Sequence, residues 1–107
     1  MSLELIKGTL DVLILKTLAA GPRHGYGIAR WIEEGTGNDI QVEEGSLYPA
    51  LYRMERKGWI EAEWGVSELN RRVKLYRLTV EGRRQLRRET AEWARFTAAV
   101  SRILRPT

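Results

Sequence analysis

Hydrophobic and polar positions change their period twice along the chain. Residues 9–18, 25–34 and 44–58 carry apolar side chains three or four positions apart, as on one face of a helix. In residues 60–64 and 73–78 apolar and charged side chains alternate, as on a strand with one buried face. Helical spacing returns in the last segment. The pattern therefore predicts three helices, two strands and a long final helix.

Residues that favour helix ends mark the borders of these segments. The sequence Ala-Gly-Pro at 20–22 ends the first helix, and Gly58 ends the third. We expect Ser46 to cap the third helix, which would place Pro49 in the first turn, where its missing N–H is not needed. Thr79 is the expected cap of the final helix.

A polar segment with Gly and Asn, residues 65–72, joins the two strands and is typical of a hairpin loop. Three helices followed by a β-hairpin is the order of elements in a winged helix-turn-helix. The predicted fold class is therefore mainly α (α+β), with a two-stranded β-wing and a C-terminal helix.

Two helices have more apolar surface than a single 107-residue chain can cover. The first is apolar around most of its circumference, and the last carries apolar residues seven positions apart, interrupted by Glu89. We therefore expect a homodimer; the alternative is that the last helix folds back on its own domain. The expected interface residues are Leu10, Leu13, Ile14, Leu86, Trp93, Phe96, Val100 and Ile103.

Composition argues against catalysis. The chain has no Cys and a single His, which removes disulfides, thiolate sites and histidine metal clusters. No nucleophile–base pair or phosphate-binding loop is recognisable, so we expect no enzymatic activity, no metal and no cofactor. The longest apolar run is too short to cross a bilayer, and no signal peptide precedes it. This favours a cytoplasmic protein with no membrane partner.

Charge is distributed unevenly. Residues 1–70 hold 7 Lys and Arg against 11 Asp and Glu, a net charge of −4, whereas residues 71–107 hold 11 against 3, a net charge of +8. A basic block of this kind indicates a polyanionic partner, although for residues 83–105 a solvated basic helix face explains it equally well.

Five motifs in order along the chain resemble one family. They are GTLDVLILKTL (8–18), HGYGIA (24–29), EGSLYPALYRMERKGWI (44–60), EWGVSELNRRVKLYRLT (63–79) and EGRRQL (81–86). Together they are similar to the PadR-like winged-helix transcriptional regulators, especially short members with one C-terminal helix. Leu75 departs from the pattern, because family members often carry an aromatic residue there.

The resemblance implies a cytoplasmic dimeric repressor that binds double-stranded DNA at a palindromic operator. Residues 1–78 would form the winged-helix DNA-binding domain, and residues 79–107 the dimerisation helix. The helix at 45–57 would enter the major groove. The alternative is a winged-helix protein-interaction module that does not read DNA.

The candidate DNA contacts lie on the predicted recognition helix, on the hairpin and at the start of the second helix. For Tyr48 and Tyr52 the alternative is that they are packed aromatics, and for Tyr26 that its neighbouring glycines only permit a tight turn. The candidates are Tyr26, Ser46, Tyr48, Tyr52, Arg53, Arg56, Asn70, Arg71, Arg72 and Lys74.

The tryptophans divide into two groups. We expect Trp31, Trp59 and Trp64 to lie in the core. Trp93 lies midway along the dimerisation helix, where some relatives bind flat hydrophobic molecules between subunits. We expect packing at the dimer seam to be the main role of Trp93, and the resemblance offers as the alternative a small aromatic effector bound at Trp93 and Phe96.

Overall fold

The structure is a computed structural model that describes residues 8–106. The start of the predicted DNA-binding domain (residues 1–7) and the end of the predicted dimerisation helix (residue 107) lie outside the described residues. The predicted winged helix-turn-helix is confirmed. Its elements are α1 (Thr9–Ala19), β1 (Arg23–His24), α2 (Gly25–Gly35), α3 (Glu44–Arg56), β2 (Ile60–Val66), β3 (Arg72–Leu78) and α4 (Val80–Leu104).

The sheet has three antiparallel strands in the order β1-β3-β2, where two were expected. β2 and β3 form the wing and pair from Ile60 opposite Leu78 to Val66 opposite Arg72. The additional strand, β1, pairs with Tyr76 and Leu75 on the other edge of β3. Two residues are too few to show an alternating pattern, so periodicity did not predict β1.

The core lies where α1, α2 and α3 pack together over the inner face of the sheet. Its largest fully buried side chains are Ile14, Leu15, Ile28, Leu47, Leu51, Met54, Ile60 and Thr17. The prediction of Ile14 as a dimer contact is therefore wrong, because its side chain has no exposed surface left for a partner. Leu10 is also a core residue, and Leu13 and Leu86 are half-buried against the core.

The start of α3 differs from the prediction. The helix begins at Glu44, and Glu43 occupies the N-cap position, so Ser46 lies within the first turn and does not cap it. Pro49 is thus inside the helix, beyond the first turn. Its missing N–H leaves the carbonyl of Gly45 without a helical donor, and Gly45 is exposed, so water can supply that hydrogen bond.

The start of α4 is held close to the turn between α3 and β2. Thr79 caps the helix as predicted, because its Oγ1 accepts a hydrogen bond from the N–H of Gly82 at 3.0 Å. The Thr79 N–H donates to the carbonyl of Trp59 at 3.1 Å. Gly82 is buried, and a Cβ there would overlap the Trp59 carbonyl oxygen and lie 2.9 Å from the carbonyl carbon.

Beyond this junction α4 packs against α1, and its C-terminal part then extends from the body of the protein. It contains 25 residues, and the molecule measures 58 × 32 × 21 Å. No helix within residues 8–106 combines the length and the apolar character needed to cross a membrane.

Gly82→Ala is expected to lower the free energy of unfolding by about 1–3 kcal/mol, because the added methyl group meets backbone that cannot move independently. Urea denaturation followed by circular dichroism measures the change. Gly35→Ala is the matched control: it is also helical, and its added Cβ meets nothing within 4 Å. Equal midpoints for Gly82→Ala and the parent protein would contradict the close contact.

Candidate nucleic-acid interface

The outer face of α3 is polar and exposed along its length. Leu47, Leu51 and Met54 are buried against the core, which turns the opposite side of the helix toward solvent. Ser46, Tyr48, Tyr52 and Arg56 are all exposed there. The guanidinium of Arg56 lies 5.8 Å from the centre of the Tyr52 ring. The predicted division of this helix into a buried apolar side and an exposed polar side is confirmed.

Tyr48 connects α3 to the first residue of α2. A Cβ on Gly25 would lie 2.8 Å from both Cε1 and Oη of Tyr48, so any larger residue would require this ring to shift. The ring is therefore packed on α2, yet 44% of the residue remains exposed. Tyr26, the next residue of α2, is more exposed and stacks on His24 with 5.9 Å between ring centres.

The Arg53 side chain is 47% exposed, but its guanidinium is paired with a carboxylate instead of being free for the predicted phosphate contact. Its two Nη atoms donate to the two carboxylate oxygens of Asp11 on α1, at 2.6 and 2.8 Å. These hydrogen bonds raise the pKa of Arg53 above its ordinary value. Arg53 thus joins α3 to α1. A signal for this pair was visible in the sequence, because Asp11 is the one carboxylate in the mainly apolar segment 9–18.

The tip of the wing carries two unpaired arginines. Asn70 adopts a positive φ of 59° in the turn, a conformation that asparagine tolerates better than most residues. Arg71 and Arg72 follow it, are exposed, and form no salt bridge with an acidic residue in the described part of the chain.

Lys74 lies closer to the body. Its Nζ lies 3.5 Å from Oε1 of Glu55 on α3. The wing and α3 are therefore linked directly, and Lys74 is partly neutralised by this pairing. Glu55 was not among the predicted site residues.

Trp64 was predicted to lie in the core, and this prediction is wrong. Its position alternates correctly with Ile60 and Ala62, so it shares their side of the sheet. Exposure rises along that side as β2 leaves the body: Ile60 is buried, Ala62 is half-buried, and 57% of Trp64 is exposed. Alternation identifies the side of the sheet, but not where along the strand the core ends.

Apolar side chains on the second half of α4 are uncovered in the single chain. Trp93, Phe96, Val100 and Ile103 are 41%, 52%, 38% and 84% exposed. The rings of Trp93 and Phe96 lie 6.0 Å apart between centres. Four of the eight predicted interface residues therefore lie on one uncovered helix, whereas the other four pack against or within the core.

A groove of about 240 Å³ lies between the start of α1 and α4. Its lining residues are Gly8, Thr9, Val12, Glu89, Glu92, Trp93 and Phe96.

Glu89, in the wall of this groove, is partly buried, and that burial raises the pKa of its carboxyl. Its Oε1 accepts a hydrogen bond from Gln85 at 3.0 Å, while Oε2 is buried without a hydrogen-bond partner among residues 8–106. The groove therefore combines aromatic rings with carboxylates.

A protein-family profile matches most of the chain. The sequence profile described as "Transcriptional regulator PadR-like family" matches residues 14–88, which run from α1 through the wing into the first part of α4.

Solved structures share the fold over most of the chain. A transcriptional regulator from Clostridium thermocellum is 31% identical with a TM-score of 0.83, covering 91% of this chain and 94% of the other. A PadR family transcriptional regulator from Eggerthella lenta is 32% identical with a TM-score of 0.80, covering 94% and 86%. Bacillus subtilis PadR, solved in complex with operator DNA, is 26% identical with a TM-score of 0.68, covering 76% and 46%.

Proposed function

The chain belongs to the PadR-like family of transcriptional regulators, and on this premise we propose that it is a repressor that binds operator DNA as a homodimer. The family is one of regulators and not of enzymes. The observation that carries the proposal is the pair of unpaired arginines, Arg71 and Arg72, on a wing linked to the exposed polar face of α3. We place the protein in the cytoplasm, with its DNA.

In this proposal α3 enters the major groove, with Ser46 and Tyr48 closest to the base edges and Tyr52 and Arg56 toward the phosphates. Tyr26 adds a hydroxyl group at the start of α2. The wing reaches the neighbouring minor groove, whose negative potential attracts arginine. Support comes from Bacillus subtilis PadR, which shares this fold and was solved with operator DNA.

Arg53 and Lys74 have a different role in the proposal from the one expected from sequence. Both are held by carboxylates, Arg53 by Asp11 and Lys74 by Glu55. They set the positions of α3 and the wing, so the direct contacts to DNA come from their unpaired neighbours. Asn70 contributes by shaping the turn that presents Arg71.

Removing both wing arginines (Arg71→Ala with Arg72→Ala) is expected to weaken binding to every DNA sequence. Each lost phosphate contact reduces the slope of log affinity against log salt by about one, so the double variant should lose up to about two. Fluorescence anisotropy with a labelled random-sequence duplex at several salt concentrations measures the slope.

Arg95→Ala with Arg102→Ala removes the same charge from α4 and serves as the control for this experiment. An unchanged slope in a folded wing variant would place both arginines outside the interface. A parent protein that binds neither random-sequence duplexes nor palindromic promoter fragments at low salt would instead favour the protein-interaction module.

We propose that the uncovered apolar row of α4 forms the dimer contact. Trp93, Phe96, Val100 and Ile103 recur three, four or seven residues apart, as in helices that pack side by side. Leaving this much apolar surface in water is unfavourable, and a second copy of the chain carries the same row. A two-fold dimer would present two copies of α3 to the two halves of a palindrome. In this arrangement residues 1–78 bind DNA and residues 79–107 dimerise.

Val100→Asp and Ile103→Asp are each expected to convert the dimer to monomer, because a carboxylate in the contact must be buried unpaired or break it. Sedimentation velocity measures the change. Affinity for palindromic DNA should fall with it, since the half-sites are no longer bound together. Ser101→Asp, which adds the same charge at an exposed polar position of α4, is the control. A parent protein that is monomeric at tens of micromolar would contradict the dimer.

The groove between α1 and α4 is the proposed effector site. Trp93 and Phe96 offer flat apolar surface to a small planar aromatic molecule, and Glu89 and Glu92 lie beside them. Because α1 is joined to α3 through Asp11 and Arg53, the site is connected to the DNA-binding helix. An effector would change DNA affinity only through its different affinity for two arrangements of the dimer.

Titration with planar aromatic compounds is expected to change tryptophan fluorescence. Trp93→Ala should abolish the change, whereas Trp31→Phe should preserve it, since Trp31 lies on α2, away from the groove lining. If a broad panel of compounds alters neither the fluorescence nor DNA affinity, Trp93 serves only in packing.

A further inference from the structure

We propose that Trp64 is a positioning residue for DNA binding: its indole ring holds the guanidinium of Arg72 at the surface of the wing that meets DNA. The inference rests on the proposed function, since it concerns how the wing engages DNA. It begins from the observation that a large aromatic side chain, 57% exposed, lies on the wing outside the core.

The strand register brings the two side chains together. Trp64 lies opposite Lys74, and Val66, two residues further along β2, lies opposite Arg72. Positions two apart on a strand, and positions directly opposite each other, share one side of a sheet. Trp64 and Arg72 are therefore diagonal neighbours on the same side, and the guanidinium carbon lies 4.6 Å from the centre of the indole ring.

Lys74 also approaches the ring but is already held elsewhere. Its Nζ lies 5.6 Å from the Trp64 ring centre and 3.5 Å from the Glu55 carboxylate. Arg72 has no acidic partner among residues 8–106, so the indole is the group that restrains it. The Trp64 ring therefore contacts two cations: Lys74, which is paired with Glu55 near the body of the protein, and Arg72, which lies near the tip of the wing.

The contact with the indole ring restrains Arg72 without pairing its hydrogen-bond donors with a carboxylate. The five N–H groups of a guanidinium lie in its plane, so a ring above or below that plane leaves them available for phosphate oxygens or minor-groove acceptors. An unrestrained arginine loses rotamer entropy when it is immobilised on DNA, and a side chain that is already held loses less. A cation–π contact at an exposed site corresponds to about a two- to five-fold change in affinity.

A double-mutant cycle tests the proposal. Trp64→Ala, Arg72→Ala and the combined variant are compared by fluorescence anisotropy with a labelled random-sequence duplex at one low salt concentration. Trp64→Ala is expected to weaken binding about two- to five-fold in the parent protein and to have no further effect once Arg72 is Ala. Trp64→Tyr, which retains an aromatic face, should restore most of the affinity.

Arg71→Ala provides the matched background. It removes the same charge from the neighbouring residue, which makes no aromatic contact among the described residues. Trp64→Ala should therefore weaken binding as much in that background as in the parent protein. Because Trp64 is exposed, thermal unfolding of Trp64→Ala should match that of the parent.

A measurement without DNA gives a second readout. The ring current of Trp64 should shift the Arg72 side-chain proton resonances upfield in the NMR spectrum, and Trp64→Leu should remove that shift.

Three outcomes would overturn the proposal. The first is an unchanged DNA affinity for Trp64→Ala. The second is an equal loss of affinity in the presence and absence of Arg72, which would mean that Trp64 contacts DNA by itself. The third is the absence of a ring-current shift at Arg72. If the parent protein binds no DNA, the proposed function fails as well, and measuring the parent first distinguishes the two failures.

Discussion

The ion pair between Asp11 and Arg53 fixes the relation between the helix that packs on α4 and the helix proposed to enter DNA. Asp11 is 8% exposed, and both of its carboxylate oxygens accept hydrogen bonds from the guanidinium. Removing Arg53 would leave the Asp11 carboxylate unpaired in a poorly solvated position, which is costly. α1 contacts both α3 and α4, so it connects the helix proposed to enter DNA with the helix proposed to dimerise.

The charges of Asp11 and Arg53 lie near the proposed effector groove and interact with its wall. Glu89, in the groove wall, acts on Arg53 and is itself acted on by Asp11 and by Lys57 at the end of α3. A carboxyl group with one oxygen unpartnered is costly within a packed seam. Glu89 is the residue that interrupts the predicted apolar row of α4. The interruption therefore lies in the wall of the groove.

Most of the fold followed from periodicity, because four of its elements are long enough to bury one side and the wing strands alternate clearly. The wrong predictions concern features that a local sequence pattern does not report: very short elements, helix starts without a side-chain cap, and contacts between residues far apart in the chain. β1 has two residues, the start of α3 has no side-chain cap, and Arg53 meets a partner 42 residues away. Trp64 satisfied the alternation rule and still lies outside the core, since burial depends on how far the body of the protein extends beneath the strand.

The net charge of the chain is only +4, yet its proposed DNA-binding surface is basic. This is possible because some of its basic residues are paired with carboxylates and others are not. Arg53 and Lys74 are neutralised by Asp11 and Glu55, and these pairs hold α3 against α1 and the wing against α3. Arg56, Arg71 and Arg72 lack acidic partners among residues 8–106 and extend from the elements so fixed. Two of the acidic residues in the first 70 positions, Asp11 and Glu55, therefore orient the elements that carry the unpaired cations.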